Sequence, residues 1–280
     1  STLALPADSE TLDAGLGGEL AQLLTPDGLV AQLELKAHDR ARSDYLCFLR
    51  SESAARPTVP STHILPALLD RCLARYPRSD YAPFWLARKA LLLYQADLRQ
   101  GLPIRREGEA WDLTTRALEA DPFNSYANAL AARIVLADGE CAAAESYFLN
   151  MIERGGYYPV LAGMIATEAA PCGSEFAQAA GDWRARIGAM SQGNRTLDPL
   201  SQLYVMLAVL ALEDRATAER LASTRPIEES SADVEGMLDE LTRAVESRGY
   251  ARSNATEIEA HLARFVWNPQ ARTAIMRSLR

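Results

Sequence analysis

The chain has 280 residues, of which 48% are hydrophobic, 24% are charged and 7% are aromatic. These are the proportions of a globular protein with one or two domains, and the formal net charge of -8 argues against non-specific nucleic-acid binding by the surface. Alanine and leucine dominate and β-branched runs are scarce, which favours helix almost throughout.

No apolar run is long enough to form a membrane-spanning helix, and the first residues lack the basic and apolar segments of a signal peptide. The sequence starts with Ser1 rather than Met. We therefore expect a mature form or an excised piece of a longer protein, in which contact with a membrane would require an anchor that has been removed.

Residues 1–36 are the least regular part of the sequence. The run LALP suggests a short strand, Leu12, Leu16 and Leu20 recur at helical spacing, and the run LVAQLEL alternates as a strand would. One interpretation is a small α/β segment, and the other is a helical lead-in that caps the helices that follow.

From His38 onward the pattern is helical. Asn268-Pro269 is a favourable helix start, because Asn caps the first turn and Pro fits within it. The predicted helices cover residues 39–53, 63–76, 81–99, 107–120, a pair within 125–156 joined at 137–139, 158–169, 175–190, 200–212, 216–223, 234–247, 256–266 and 269–279.

The clearest unit is the helical pair within 125–156. Its two helices each carry a face of small and large apolar residues, so they can approach closely and fill the seam beside the crossing. These residues are Ala131, Ala132 and Val135 on the first helix, and Ala144, Phe148 and Met151 on the second. A lone hairpin cannot bury its outer face, so it must stack on neighbours.

The same register recurs one unit earlier, where Leu86 and Ala87 occupy the positions of Ala131 and Ala132. This pattern resembles the tetratricopeptide (TPR) repeat, although Pro77 and Pro122 are further apart than the roughly 34 residues of a standard unit. We therefore predict an all-α, TPR-like α-solenoid, with a lead-in over 1–36, repeats over 37–190 and a helical C-terminal cap over 191–280.

Three runs in the repeats carry a more specific resemblance: DYLCFLR, PALLDRCLARYPRSDYAPFWLARKALL and EAWDLTTRALEADPFNSYANALAA. They are similar to the TPR-like module at the C-terminus of bacterial winged-helix regulators of the ToxR/CadC/HilA type and of some class III adenylate cyclases. The resemblance implies a sensory or protein-interaction domain of a bacterial regulator. The chain lacks a winged helix, a cyclase domain and a membrane span of its own.

In a TPR array the first helix of each unit lines a concave groove. Superposing the two clearest units pairs Tyr81 with Tyr126 and Arg88 with Arg133, and Phe84 falls on the same face. Aromatic surface beside two guanidinium groups would suit an extended acidic peptide or a small anionic ligand. The alternative is that both arginines are solvated or pair with acids on the helix surface.

The four cysteines are Cys47, Cys72, Cys141 and Cys172, and no spacing between them is CxxC. They are either buried thiols or two disulfides, Cys47–Cys72 and Cys141–Cys172, each tying a helix to its neighbour. Disulfides would favour the periplasm for a membrane-anchored regulator, and reduced thiols would favour the cytoplasm.

Catalytic and metal-binding patterns are weak. Glu257 and His261 lie one helical turn apart, but no third ligand is visible nearby, and no nucleophile or acid–base pair stands out. We therefore predict a non-enzymatic binding module of a bacterial regulator, without metal or cofactor. The alternative is a free-standing TPR scaffold for complex assembly or secretion. Arginines in the C-terminal helices could contact an acidic partner or a second copy of the chain, or form a solvated face.

Overall fold

The computed structural model describes residues 29–37, 43–54, 64–100, 102–154, 159–172, 199–223 and 231–280, and every regular element among them is an α-helix. The predicted all-α class is therefore confirmed for this part of the chain. The helices are α1 Leu29–Ala37, α2 Asp44–Ala54, α3 Ile64–Arg75, α4 Ala82–Arg99, α5 Gly108–Ala120, α6 Ser125–Ala137, α7 Cys141–Arg154, α8 Pro159–Ala169, α9 Pro199–Ala211, α10 Arg215–Ala222, α11 Ala232–Glu246, α12 Arg248–Ser253, α13 Ala255–Phe265 and α14 Pro269–Leu279.

The strand predicted for LVAQLEL is wrong, because these residues form helix α1. Leu, Ala, Gln, Glu and Lys are all good helix formers, and their summed preference outweighs a short alternation. The LALP strand, the helix around Leu16 and the helix over 175–190 lie outside the described residues. Helix α12 was not predicted, because its six residues are too few to show a helical period. Ser247 caps this helix, and its hydroxyl accepts from Tyr250 N.

Contacts along the chain define two compact units, Ser1–Trp85 and Leu86–Arg280, and the division falls within α4. In the first unit α1 packs on α2 and α2 packs on α3. Leu46 and Leu49 from α2 and Leu65 and Leu69 from α3 are buried, and they form an apolar contact between the two helices.

In the second unit, α6 and α7 form the predicted helical hairpin. The Asn124 side chain caps α6 by accepting from Ala127 N. The connecting turn places Gly139 at φ +80°, a left-handed conformation that glycine adopts without steric cost. Small alanines at the crossing are fully buried, which lets the two helices pack closely along their length.

Helix α9 is the centre of the second unit, and each of its described positions except Leu200 is buried. It packs against α8, α10, α11 and α14. Gly163 of α8 allows a close approach, because a Cβ atom there would lie 3.0 Å from the Cβ of Tyr204. None of the helices that the structure describes is both long and apolar enough to traverse a bilayer.

Candidate functional site

The five predicted groove residues divide between the two compact units. Tyr81 and Phe84 belong to the first unit, whereas Arg88, Tyr126 and Arg133 belong to the second. Each group has its own set of contacts.

Tyr81 and Phe84 lie in a half-buried aromatic cluster. The Tyr81 ring stacks on Phe48 at 4.7 Å between centroids, and Phe48 meets Phe84 edge-on at 5.1 Å. Tyr45 lies 6.3 Å from Tyr81. Residues 45 and 48 are three apart on α2, so they share one helix face and complete a cluster that sequence reasoning did not assemble.

Acidic groups border this aromatic cluster. Burial raises the pKa of Tyr81, and the nearby Tyr45, Asp44 and Asp80 raise it further. The Ser79 hydroxyl donates to the Asp44 carboxylate at 2.9 Å, which fixes that acid beside the rings. The cluster therefore presents aromatic surface with a negative edge.

In the second unit, Arg88 of α4 and Tyr126 of α6 contact each other directly. Both side chains are half-buried, Arg88 donates to the Tyr126 hydroxyl, and its guanidinium carbon lies 5.0 Å from the ring centroid. Such a cation over an aromatic face is attracted by the ring quadrupole. The predicted residue types thus meet as one Arg–Tyr pair between two helices.

Arg133 lies in the interior rather than in an open groove or a solvated ion pair. Only 3% of the residue is exposed, its Nη2 lies 3.1 Å from the Glu168 carboxylate, and its guanidinium carbon lies 3.9 Å above the Trp267 ring. Arg133 is therefore not accessible to a ligand in this structure, and neither the predicted open groove nor the alternative of a surface ion pair describes its position.

The Glu168 carboxylate is 1% exposed and fully engaged. It accepts from the backbone N–H of Trp267 at 2.7 Å and of Asn268 at 2.6 Å, in addition to Arg133. The Asn268 amide donates in return to the Glu168 carbonyl at 2.8 Å. We call Arg133, Glu168, Trp267 and Asn268 the buried polar cluster.

The two charges of this cluster face the helix ends that suit them. Arg133 donates to the carbonyl of Phe265 at the C-terminus of α13, and Glu168 accepts from N–H groups at the N-terminus of α14. Helix macrodipoles favour a cation at a helix C-terminus and an anion at a helix N-terminus. The cluster therefore ties α6 and α8 to the junction of α13 and α14, which is a structural role.

Glu168, Trp267 and Asn268 were not predicted from the sequence to join Arg133 in the core. One signal was present: Glu168 is the single charged residue in α8, whose other described residues are mostly apolar. A lone acid in such a helix is costly to bury without partners, so it predicts a buried ion pair. Its partner Arg133 is 35 positions away, a pairing that no local pattern specifies.

Two buried tyrosines of the second unit provide a test of this packing. Burial raises the pKa of Tyr204 to about 12, and burial also raises the pKa of Tyr94, whose hydroxyl donates to the Arg105 carbonyl at 3.0 Å. Both phenols stay neutral in the fold at pH values where unfolded tyrosine ionises.

We predict that this unit loses stability as pH rises above about 10, because the unfolded state then releases phenolic protons that the native state keeps. The measurement is urea unfolding at a series of alkaline pH values together with ultraviolet titration of tyrosinate. The tyrosinate signal of Tyr204 is the part of the titration that a Tyr204→Phe variant lacks. If that part titrates with an ordinary pKa in the folded protein, it would contradict the burial of Tyr204.

His261 pairs with a different acid from the one its spacing suggested. Its Nδ1 lies 2.7 Å from the carboxylate of Glu240 on α11. Among the described residues, no group of three or more His, Cys, Asp or Glu side chains is placed to hold a metal ion.

The four cysteines lie in two pairs at disulfide-bonding distance. Cys47 of α2 is joined to Cys72 of α3, with Cα atoms 5.8 Å apart, and Cys141 of α7 is joined to Cys172 after α8, with Cα atoms 5.6 Å apart. Each pair links two neighbouring elements of one unit.

Comparison of the chain with protein-family models, with curated proteins and with solved structures finds no match. Assignment of a function therefore depends on the chemistry of the residues described above.

Proposed function

We propose that this chain is a non-enzymatic binding module built from TPR-like stacked helices, and that it serves as the sensory or protein-interaction part of a bacterial regulatory protein. The helical hairpin α6–α7, with α8 packed on α6 and α9 packed on α8, supports a stacked arrangement. The resemblance of the DYLCFLR and EAWDLTTRALEA runs to regulator modules supports the regulatory role.

The observation that carries the binding proposal is the half-buried contact between Arg88 and Tyr126. A guanidinium held in place by a neighbouring ring loses less side-chain entropy on binding than a mobile one. A carboxylate of an extended peptide or a small anionic ligand would form a two-pronged bond with Arg88, beside or in place of the bonds made in the free protein. The proposed site does not include Arg133, because that side chain is buried against Glu168.

The test compares Arg88→Ala and Arg88→Lys with Arg116→Ala, an exposed arginine on α5 that serves as the matched control. The probes are arrayed short peptides with and without acidic residues, and citrate as a small anion, measured by fluorescence anisotropy or calorimetry. We expect acidic probes to bind and Arg88→Ala to weaken them more than tenfold, with Lys only partly restoring affinity because it lacks the planar fork.

Circular dichroism and the thermal midpoint of each variant show whether the fold is preserved, since Arg88 also packs on Tyr126. Equal affinity of wild type and Arg88→Ala for the acidic probes would overturn the assignment. Binding by neutral peptides alone would likewise exclude recognition through the guanidinium.

The two cysteine pairs support an oxidising compartment for this module, and we propose the periplasm, with the cytoplasm as the alternative. A free-standing scaffold for complex assembly is the second candidate, favoured by the half-buried aromatic surface of Tyr45, Phe48, Tyr81 and Phe84. A DNA-binding or cyclase domain encoded upstream in the same reading frame would favour the regulator over the scaffold.

A further inference from the structure

A cavity of about 550 Å³ lies within the second unit, between the end of α8, the end of α9 and one face of α14. Its apolar wall consists of Leu212 and four smaller residues, which are Ala170, Pro171, Ala211 and Ala274. The four smaller side chains leave room for an occupant, and Leu212 adds apolar surface beside it. The volume is within the range of sites that bind small molecules.

One edge of this cavity carries Glu213, which has an unusual backbone. Its φ is +60°, in the left-handed region where glycine or asparagine is normally found after a helix. The turn is fixed on both sides, because Glu213 N donates to Leu210 O at 3.0 Å and Asp214 N donates to Val209 O at 2.8 Å. The Asp214 carboxylate then caps α10 by accepting from Thr217 N.

Glycine would suit this turn better than glutamate, since a side chain in the left-handed region is strained. Strained residues that persist in a rigid frame are concentrated at binding sites, and an observed outlier is a reason to look for a function. Glu213 brings a carboxylate to the cavity that a glycine would not supply. The backbone strain at Glu213 is therefore found where a carboxylate borders the cavity.

The opposite charge is supplied by Arg277 of α14, whose Nη1 lies 2.9 Å from Glu213 Oε1. The two side chains are 69% and 55% exposed, and an exposed pair of this kind contributes little to stability. Separating the pair would therefore cost little. A ligand that gives each charge a new partner would regain that interaction and add its own contacts.

The frame that holds Arg277 is itself rigid. Arg215 donates to the carbonyls of Ser278 at 3.1 Å and Leu279 at 2.9 Å, which secures the C-terminal end of α14 beside α10. Gln270 and Thr273 lie on the same face of α14 as Arg277, at helical spacing, and both border the cavity. The cavity thus combines two opposite charges, two polar side chains and an apolar wall on fixed elements.

We propose that this cavity binds a small zwitterion, either a free amino acid or a short peptide. Its carboxylate would pair with Arg277 and its ammonium group with Glu213. Its aliphatic part would pack on the apolar wall of alanines, proline and Leu212. Gln270 and Thr273 would add hydrogen bonds to the polar end. This site is independent of the proposed binding at Arg88 and Tyr126, and either can fail without the other.

The experiment is calorimetry on the full chain with four probes: leucine and dialanine as zwitterions, propionate with the carboxylate alone, and propylammonium with the amine alone. We expect the zwitterions to bind at least tenfold more tightly than the singly charged probes. Stronger binding of dialanine identifies a peptide site, and stronger binding of leucine identifies an amino-acid site.

Arg277→Ala and Glu213→Gln should each weaken the zwitterions at least tenfold, whereas Arg252→Ala, which changes an exposed arginine on α12, should not. Glu213→Gly separates binding from folding, because glycine relieves the left-handed strain while removing the carboxylate. We expect this variant to lose zwitterion binding with an unchanged or higher thermal midpoint. The proposal is overturned if wild type binds neither zwitterion or if Glu213→Gly binds the zwitterions as tightly as wild type. It is also overturned if propionate or propylammonium binds as tightly as the zwitterions to the Arg88→Ala variant, which lacks the other proposed anion site.

Discussion

Replacing Glu168 by Gln lowers the free energy of unfolding of the second unit by about 3–5 kcal/mol, the effect expected when one partner of a buried ion pair is removed. The Arg133 guanidinium would remain in the core opposite a neutral amide, since both side chains are at most 4% exposed. The amide NH₂ would also face one of two backbone donors, Trp267 N or Asn268 N, that now donate to the carboxylate.

Urea unfolding followed by circular dichroism measures this loss, and the matched control is Glu109→Gln. Glu109 pairs with Lys89 at 3.3 Å but is 65% exposed, so its replacement should change stability by no more than about 0.5 kcal/mol. A double variant, Arg133→Met with Glu168→Gln, should lose less than the sum of its single changes, because no unpaired charge is left in the core. Equal stability of Glu168→Gln and wild type would show that the carboxylate is not buried.

Replacing Cys141 and Cys172 together by Ala lowers the free energy of unfolding by about 3–4 kcal/mol under oxidising conditions, by the loop-entropy relation for two cysteines 31 residues apart. The disulfide restricts the unfolded chain more than the folded one, in which the start of α7 already lies near the end of α8. The bond also holds the chain one turn beyond Glu168, so its loss loosens the end of α8 that carries the buried carboxylate.

The measurement is urea unfolding of wild type and of the Ala variant, each with and without a reductant. Wild type should lose stability on reduction by more than the variant does, and the remaining loss in the variant reports on Cys47–Cys72. A thiol count by mass, with thiols trapped at lysis, shows the state in the cell. Four free thiols would contradict the periplasmic proposal, and equal stability of wild type and the Ala variant under oxidising conditions would contradict the expected stabilisation.

Local sequence patterns predicted the helices well, because helix signals are contained within a few turns. Small residues at the crossing of α6 and α7, the Asn268-Pro269 start of α14 and the continuous apolar run of α9 each specify their element without reference to distant residues. The pattern failed for α1, where a short alternation of Leu, Gln and Glu fits either a strand or a helix. Only the intrinsic preference of those residues separates the two.

The candidate site was harder to predict, because helical periodicity shows that a residue shares a face but not what lies opposite that face. Arg133 shares the register of Arg88, yet Arg88 meets a tyrosine at half-burial while Arg133 meets Glu168 and Phe265 in the core. The carbonyl of Phe265 is 132 positions further along the chain. Contacts at such separation are set by the stacking of all the intervening helices, which a single sequence does not reveal.

The buried polar cluster also limits how early the second unit can finish folding during synthesis. The two backbone N–H groups that complete the Glu168 carboxylate, at Trp267 and Asn268, follow it by about a hundred residues. At translation rates of about 5–20 residues per second, these donors are made roughly 5–20 s after the acid. Until then Glu168 has Arg133 but not its backbone partners, so water must reach the α6–α8 interface of the nascent chain. The second unit therefore reaches its dry, fully hydrogen-bonded state only after the start of α14 has emerged from the ribosome.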